Sequence, residues 1–487
     1  MSKKLKILFA AAEVSPFTKV GGLADVAGAL PKALQRLGHD VRVVTPRYGG
    51  TRDNGAATRI TDRPFGVPAL GETEEVTVSH SSLNGGVPVY FLENQKYFER
   101  PAVYGEPDDL ARFTLFSRAL LEVPRLLGWQ PDILHCHDWH AASAVAFLGK
   151  DKDPWYRSTA SVFTIHNLAY QGWFDDHFEE RAGFAKYTQD LDNACGRQFN
   201  SMMSMALFYA DIVSTVSEQY AREILTKEYG EGLDSLLRHR QVKPCGIVNG
   251  IDYEEFDPAK DTRIAATYDS STPERKVLNK TALRKRLGLP ASKNRPLIGM
   301  VGRLAAQKGI DIVAPIVRDL AQQAQLVILG SGQPEFERKI KEAVALFPRA
   351  ARLVMGFDAG LAQLIYAGSD IYLMPSRFEP CGLGQLIAMR YGTIPLVRHT
   401  GGLVDTVRDC DDDLSHGNGF VFRRYASKDL VEAAGRAVTA FRTQKEAWRQ
   451  LVVRDMAADY SWEASARKYE AMYLEALKLK ASAPSRR

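Results

Sequence analysis

The chain has 487 residues, of which 45% are hydrophobic and 25% charged, a composition typical of globular proteins and not of disordered or fibrous ones. Its length exceeds what one hydrophobic core usually supports, so two or three domains are expected. The formal charge of +5, from 63 basic and 58 acidic residues, is too small at this length to indicate nucleic-acid binding.

The beginning of the chain and its cysteines bear on where the protein works. The first apolar run, 7–12, meets Glu13 too soon to be a signal-peptide core or a membrane span. The five cysteines are widely spaced and lack a CxxC pair, which favours neither a disulfide framework nor a zinc ribbon. We therefore expect a cytoplasmic protein, with a frayed tail at 478–487.

In chain order, the first half alternates apolar runs with segments of helical length. A strand is predicted at 6–12, then a glycine-containing loop, then a helical pattern from Leu23 to Leu37 that Pro31 should kink or locally start. Further strands are predicted at 40–45, 87–92, 133–136, 161–165 and 212–215. This order predicts an α/β domain whose polar residues after each strand share one edge of a parallel sheet.

The second half repeats the plan. A strand is predicted at 296–301, followed by a basic loop at 303–308 and a helical stretch to 322. Later strands are predicted at 325–329, 352–355, 370–374 and 394–397, with a helix at 382–391. Turn residues at 248–252 indicate a crossover, and the domains are predicted as 1–245 and 246–459. Two doubly wound domains facing across a deep cleft would suit group transfer.

The loop Lys19-Val20-Gly21-Gly22-Leu23 follows the first predicted strand and opens a helix. Its glycines would let backbone N–H groups approach an anion, and Lys19 would add positive potential. The alternative is a tight turn that only needs the freedom of glycine. Neither this loop nor Gly330–Glu335 has the full GxGxxG spacing, so a nicotinamide cofactor is not indicated.

Two loops of the second half carry candidate binding groups. Arg303 and Lys308 can converge on one diphosphate, although a solvated basic turn is the alternative. Glu379 lies between a strand and a helix, where it can bind sugar hydroxyls or simply cap the helix. No base is adjacent in sequence to Cys381, so this thiol is interpreted as a packed or contacting group and not as a nucleophile.

The segment His135-Cys136-His137-Asp138-Trp139-His140 has His and Cys at alternate positions, as in some zinc sites. No second cluster with ligand spacing accompanies it, so a sugar-binding rim formed by Asp138 and Trp139 is favoured. His166, followed by Asn167, ends another predicted strand; a hydrogen-bonded loop histidine is the alternative to a functional one.

Together these segments resemble the glycogen and starch synthase family, in its bacterial branch that uses ADP-glucose. The resemblance covers nearly the whole chain. The motifs occur in the order of the family and are KVGGLADVAGALP, HCHDWHA, FTIHNLAYQG, GIVNGID, VGRLAAQKG, ILGSGQPE and PSRFEPCGLGQL.

The resemblance implies a GT-B fold with two Rossmann-like domains and a final helix, about 460–477, that returns to the first domain. It implies a retaining enzyme that transfers glucose from ADP-glucose to glycogen or another α-1,4-glucan, without a metal or other cofactor. Nucleic acid and membranes are not among the expected partners.

The resemblance also implies roles for individual residues. The expected catalytic set is Arg303, Lys308, Glu379, His166 and Asp138. The expected donor contacts are Lys19, Gly21, Gly22, Asn249, Phe357, Cys381, Gly382 and Leu383, with Phe357 on the adenine. The expected acceptor-side residues are Glu13, Asp25 and Tyr104.

Three positions depart from the family pattern, and two other functions stay open. Val20 and Gly384 stand where the family usually has threonine, and Phe357 stands where the aromatic residue is often tyrosine. The alternatives are another GT-B enzyme, such as a UDP-sugar transferase or epimerase, and a catalytically silent glucan-binding regulator. A silent homologue should have lost Glu379, Arg303 or Lys308, and all three are present.

Overall fold

The computed structural model describes residues 3–52, 57–61, 63–151, 153–196, 198–411 and 413–482. The chain forms two compact units, Met1–Asn249 with Trp462–Arg487, and Gly250–Ser461. The sequence placed the break between 245 and 246. Cys245 and Gly246 belong to the first unit because they pair with Ser214 and Thr215 as the last strand of its sheet.

Within the described residues, one sheet of ten strands forms the centre of the first unit. The strands are β1 (Lys6–Ala10), β2 (Asp40–Pro46), β3 (Thr58–Arg59), β4 (Phe65–Ala69), β5 (Glu72–Ser82), β6 (Pro88–Glu93), β7 (Ile133–His137), β8 (Ala160–Ile165), β9 (Ile212–Thr215) and β10 (Cys245–Gly246). Their order is β10-β9-β8-β7-β1-β2-β6-β5-β3, with β4 beside β5. The predicted strands of this half are present, and they pair in parallel.

The antiparallel extension formed by β3, β4 and β5 was not predicted. Strands β4 and β5 form a hairpin in which Ala69 pairs with Glu72. Both residues of the connecting turn have positive φ, 51° at Leu70 and 83° at Gly71. Such turns usually carry Asn, Asp or Gly at both positions, and because Leu70 is none of these, the sequence did not indicate a hairpin here.

Helices cover both faces of this sheet. They are α1 (Gly22–Arg36), α2 (Asp109–Leu126), α3 (Asp138–Lys150), α4 (Asp176–Ala182), α5 (Ala185–Cys195), α6 (Met202–Tyr209), α7 (Glu218–Glu223), α8 (Asp234–His239) and the C-terminal helix (Trp462–Ser482). Side chains alternate along β1, so that Leu8 and Ala10 join one buried cluster and Ile7 and Phe9 the other. Pro31 lies inside α1, which begins before it at Gly22.

The C-terminal helix packs on the first unit, with Trp462, Tyr469 and Tyr473 buried in the same cluster as Ile7 and Phe9. It continues to Ser482, so the predicted frayed tail is wrong for 478–482. Leu479 packs against the cluster, which keeps this last turn helical. Residues 483–487 of the predicted tail lie outside the described part of the chain.

The second unit is built around a parallel sheet of six strands, counted over its described residues, in the order β13-β12-β11-β14-β15-β16. The strands are β11 (Leu297–Val301), β12 (Gln325–Gly330), β13 (Ala351–Met355), β14 (Ile371–Met374), β15 (Ile394–Arg398) and β16 (Phe420–Phe422). The helices are α9 (Lys276–Arg286), α10 (Ile310–Val313), α11 (Val317–Gln323), α12 (Pro334–Ala345), α13 (Ala359–Gly368), α14 (Gly384–Arg390), α15 (Gly402–Thr406), α16 (Ser427–Thr443) and α17 (Lys445–Ala457).

Two predicted helices of this unit differ from the observed ones. The stretch to 322 divides into α10, a 3-10 turn at Ala314–Ile316 and α11, because Pro315 has no N–H to continue an α-helix. The helix predicted from 382 begins at Gly384, because Gly382 has a φ of 76°, which an α-helix does not accommodate. Over the residues the structure describes, no helix is long and apolar enough to cross a membrane.

Candidate functional site

Asp138 lies where two parallel strands of the first unit end. Strands β7 and β8 are neighbours, with His137 paired to Thr164, so the residues after them meet at one edge of the sheet. Asp138 opens α3 with a φ of 54°. Its Oδ1 accepts the backbone N–H of His166 at 2.7 Å and that of Asn167 at 3.4 Å. The structure therefore brings the predicted pair Asp138 and His166 together.

The histidines of this edge form a chain of contacts. His137 Nδ1 lies 2.9 Å from His166 Nε2. His135 lies 2.8 Å from the hydroxyl of Tyr473 and 2.6 Å from that of Thr164. Burial lowers the pKa of His166 to about 3 and that of His137 well below its ordinary value, so both rings are uncharged at neutral pH.

Glu13 is buried beside the loop at Lys19. Its Oε2 accepts the N–H of Val20 at 2.5 Å and that of Gly21 at 3.0 Å. Lys19 Nζ lies 2.5 Å from Asp25 Oδ1. The N–H groups of Val20 and Gly21 thus bind a carboxylate of the protein itself. Contact of Lys19, Gly21 and Gly22 with donor phosphates stays a prediction.

The carboxyl groups of this cluster have unusual acidities. Burial raises the pKa of Asp138 to about 7, against the effect of its two N–H donors, and the charge of Glu13 adds to the rise. Burial also raises the pKa of Glu13, which accepts a hydrogen bond from Tyr104. Perturbed carboxyl groups of this kind are typical of functional sites, because stability alone would favour ordinary surroundings for a charge. Glu13, Asp25, Tyr104, Asp138 and His166 therefore form one cluster on the first unit; we name it the acceptor-side cluster after the role predicted for Glu13, Asp25 and Tyr104, and this role and the catalytic one of Asp138 and His166 stay predictions.

In the second unit, Lys308 and Glu379 form an ion pair. Lys308 Nζ lies 2.5 Å from Glu379 Oε2, which also accepts the hydroxyl of Ser376 at 2.9 Å. The two loops can approach because residue 309 is glycine. A β-carbon there would overlap the carbonyl oxygen of Pro375, and Gly309 has a φ of 79°.

Arg303 is exposed at the end of β11, and its Nη2 donates to Gln307 at 2.9 Å. The loop that carries it runs against Gly330–Gly332, with Leu304 N–H donating to Ser331 O at 2.9 Å. A β-carbon on Gly330 would overlap the carbonyl oxygen of Gly302. The glycines of this segment therefore serve close backbone packing that holds the Arg303 loop in place.

The loop from Glu379 to Leu383 depends on residues that sequence reasoning missed. Gly402 N–H donates to Glu379 O at 3.0 Å, and a β-carbon on Gly402 would overlap Cys381 O. The missed signal was a strand, β15, followed by Thr400-Gly401-Gly402 and a helix, as at Gly21 and Gly22. Cys381 is buried, which agrees with a packing or contact role.

Two predicted donor contacts, Phe357 and Asn249, and the departure Val20 differ in their exposure to solvent. Phe357 is 77% exposed after β13, in a segment where Gly356 N–H donates to Gly330 O at 3.1 Å. Asn249 is buried at the end of the first unit, and its Oδ1 has no hydrogen-bond partner among the described residues. Val20 is 61% exposed.

The side chains of the segment 135–140 are not arranged, in the described part of the chain, as the ligands of a metal ion. In the described ranges, no group of three or more His, Cys, Asp or Glu side chains is placed to hold a metal ion. The ring nitrogens of His135 form hydrogen bonds with the hydroxyls of Tyr473 and Thr164, and Nδ1 of His137 lies beside His166.

Comparison with known proteins gives concordant matches. The model of the starch synthase catalytic domain matches residues 6–239, and that of glycosyl transferases group 1 matches 281–446. Glycogen synthase of Moorella thermoacetica is 46% identical over 490 residues, 99% of each chain. That of Geotalea daltonii is 44% identical, over 96% of this chain and 98% of its own.

Among solved structures, the catalytic domain of starch synthase IV from Arabidopsis thaliana, bound to ADP and acarbose, has a TM-score of 0.91. Its sequence is 36% identical, and the match covers 98% of this chain and 100% of that one. The fold and these matches define a glycosyltransferase of the GT-B class, which confirms the predicted fold class. Within that class, the similarity over the full length is to glycogen and starch synthases. The chain belongs to the glycogen and starch synthase family.

Proposed function

We propose that the chain transfers glucose from ADP-glucose to the non-reducing 4-OH end of an α-1,4-glucan, with retention of anomeric configuration and release of ADP. The observation that carries the proposal is the 2.5 Å contact between Lys308 and Glu379. It joins a cation suited to phosphate with a carboxylate suited to sugar hydroxyls, the two groups that a sugar diphosphate requires. The similarity to a starch synthase whose structure contains ADP supports ADP as the nucleotide of the donor.

The chemistry follows from the charges that develop during transfer. The bond between C1 of glucose and the phosphate oxygen breaks, and the bond between C1 and the acceptor O4 forms. The departing ADP gains negative charge, which Arg303 and Lys308 stabilise. The acceptor O4 attacks C1 from the face that ADP leaves, which retains the configuration, and a phosphate oxygen of ADP accepts the proton of the acceptor hydroxyl, so no protein nucleophile is needed. Trapping of a glucosyl adduct on any side chain would contradict this route.

The acceptor-side cluster orients the sugars in this proposal. In its ionised form, Asp138 accepts hydrogen bonds from sugar hydroxyls, and the backbone N–H groups of His166 and Asn167 keep the carboxylate in position. An uncharged His166 offers a hydrogen bond without protonating the donor phosphate early. Glu13 fixes the Lys19 loop through its two backbone contacts.

Labelled donors test the proposal and its alternatives. The purified chain is incubated with glycogen and either ADP-[¹⁴C]glucose or UDP-[¹⁴C]glucose, and label in the polymer is counted. We expect incorporation from ADP-glucose, and α-configured anomeric signals in the NMR spectrum of ¹³C-labelled product. Preference for UDP-glucose would favour another GT-B transferase, and no incorporation from either donor would favour a silent glucan-binding protein.

We also propose that the reaction takes place in the cytoplasm. Cys136 and Cys410 are buried thiols without a disulfide, and Cys245 is a half-buried one. Free thiols persist in a reducing compartment. Detection of the protein in the cytosolic fraction of its host tests this placement.

A further inference from the structure

An open depression on the first unit lies outside the acceptor-side cluster. Its volume is about 430 Å³. It is lined by the rings of Trp173, Phe174 and Phe178 and by the polar side chains of Asp175, His177 and Arg181. Aromatic rings among hydrogen-bonding groups suit a ligand that has both apolar faces and many hydroxyls.

The ring of Trp173 is exposed although its backbone is fixed. The side chain is 55% exposed, whereas the backbone forms a bridge with Ser201. On either side, Phe174 N–H donates to Asn200 O at 3.0 Å and Met202 N–H donates to Gly172 O at 3.0 Å. A bulky ring presented from an ordered backbone loses little conformational freedom when a ligand covers it.

Helix α4 fixes the polar groups beside this ring. Asp175 caps the helix, because its Oδ1 accepts the N–H of Phe178 at 2.8 Å. His177 and Arg181 are four residues apart on α4 and so lie on the same face. Both are exposed, as is Asp175. The depression thus offers a carboxylate, an imidazole and a guanidinium next to an aromatic face.

The segment that carries Trp173 packs against Trp139, the residue after Asp138 of the acceptor-side cluster. Gly172 has a φ of 64°, and a β-carbon on it would overlap the ring of Trp139. Trp139 follows Asp138 directly in α3. A glucan bound at Trp173 therefore lies on the same unit as the proposed acceptor residues, on backbone that packs against the neighbour of Asp138 in the sequence.

From these observations we propose that the depression at Trp173 binds internal glucose units of the α-1,4-glucan acceptor, away from the end that reacts. A pyranose ring covers Trp173 with its C–H face, and its hydroxyls meet Asp175, His177 and Arg181. This inference rests on the proposed function, which supplies a polymeric acceptor. A second contact with the same polymer raises the effective concentration of its chain ends.

The first test measures binding without transfer. β-Cyclodextrin is a closed ring of α-1,4-linked glucose and has no non-reducing end, so it cannot act as an acceptor. We expect isothermal titration to show binding to the wild type, loss on Trp173→Ala and retention on Trp173→Phe. Leu346→Ala is the control, because it removes another exposed apolar side chain, 72% exposed. Absence of binding to the wild type, or unchanged binding to Trp173→Ala, overturns the inference.

The second test separates long acceptors from short ones. For Trp173→Ala, we expect KM for glycogen to rise roughly tenfold while kcat stays unchanged, because an additional contact is lost. With maltotriose, both constants should equal those of the wild type. An equal loss with both acceptors overturns the inference. If the wild type binds β-cyclodextrin through Trp173 but transfers no glucose, the site stands and the proposed function fails.

Discussion

The side chain of Tyr372 occupies the space that a side chain at position 384 would need. A β-carbon on Gly384 would lie 2.8 Å from the hydroxyl oxygen of Tyr372 and 2.9 Å from its Cε1. The hydroxyl is held there because it donates to Val301 O at 3.1 Å. Tyr372 is buried in β14, so it cannot move away without opening the core. The departure from threonine at Gly384 is thereby explained by a tyrosine twelve positions earlier.

Gly384→Thr should therefore destabilise the protein, although it restores the usual residue of the family. Overpacking of this kind costs about 1–3 kcal/mol in the free energy of unfolding, measured by urea denaturation. Gly360→Ala is the matched control, because a β-carbon there meets nothing closer than Asp358 Oδ1 at 3.5 Å. Equal stability of Gly384→Thr and wild type would contradict this explanation, because Tyr372 would then move aside at little cost.

Lys308→Ala should lower turnover by about 3 kcal/mol of barrier, roughly a hundredfold, because it removes a cation that stabilises the departing diphosphate. It should also lower the melting temperature, because Glu379 then stays buried without its partner. The double variant Lys308→Ala with Glu379→Gln separates the two effects. We expect it to regain melting temperature but not turnover. Near-native kcat in Lys308→Ala would contradict its role at the leaving group.

Asp138 should make stability depend on pH. Its pKa is raised to about 7 in the folded chain, so the folded state binds the proton more tightly than the unfolded state. Its contribution to stability is complete below about pH 4 and is lost as pH rises through about 7. Asp138→Asn removes this dependence and keeps an oxygen for the N–H groups of His166 and Asn167.

We expect Asp138→Asn to melt about 2 °C or more above the wild type at pH 8, with little difference at pH 5. Its turnover should fall, because the neutral amide cannot replace the carboxylate toward the acceptor. Differential scanning fluorimetry at both pH values, with kinetics on glycogen, measures both effects. Glu342→Gln changes an exposed carboxyl group on α12 and is the control. A uniform shift at both pH values would argue against a pKa effect.

Lys276 should be a structural residue of the second unit. Its Nζ lies 2.7 Å from Ala367 O, 2.9 Å from Tyr391 O, 3.1 Å from Tyr366 O and 2.6 Å from the hydroxyl of Thr393. Lys276→Met would remove the lysine donor from Ala367 O, whereas Tyr366 O and Tyr391 O would keep the hydroxyls of Thr393 and Tyr268, so we expect a cost of about 2 kcal/mol in urea denaturation. Lys285→Met, an exposed change on the same helix, should cost little. Preserved KM for ADP-glucose in the folded Lys276→Met variant would confirm that the residue does not bind the donor.

The sequence by itself determined the alternation of strands and helices, because buried parallel strands leave continuous apolar runs. It also determined which polar residues follow those strands, and so Asp138 with His166 could be placed at one edge of a sheet. The long motifs identified the family before any coordinates. Local pattern did not reveal the hairpin at Leu70 and Gly71, because its turn carries an unusual residue.

Only the tertiary structure decided which groups satisfy one another. The N–H groups of Val20 and Gly21 bind Glu13, and Glu379 accepts from both Lys308 and Ser376. Lys308 and Glu379 are 71 residues apart in the chain, and Glu13 lies outside the motif that contains Val20 and Gly21, so no local pattern links these partners. The reason for glycine at position 384 likewise depends on Tyr372, because the neighbours in the folded core set the space available to a side chain there. The ionisation of buried side chains, their partners and the close backbone contacts therefore depend on the fold, whereas the order of strands and helices can be read from the sequence.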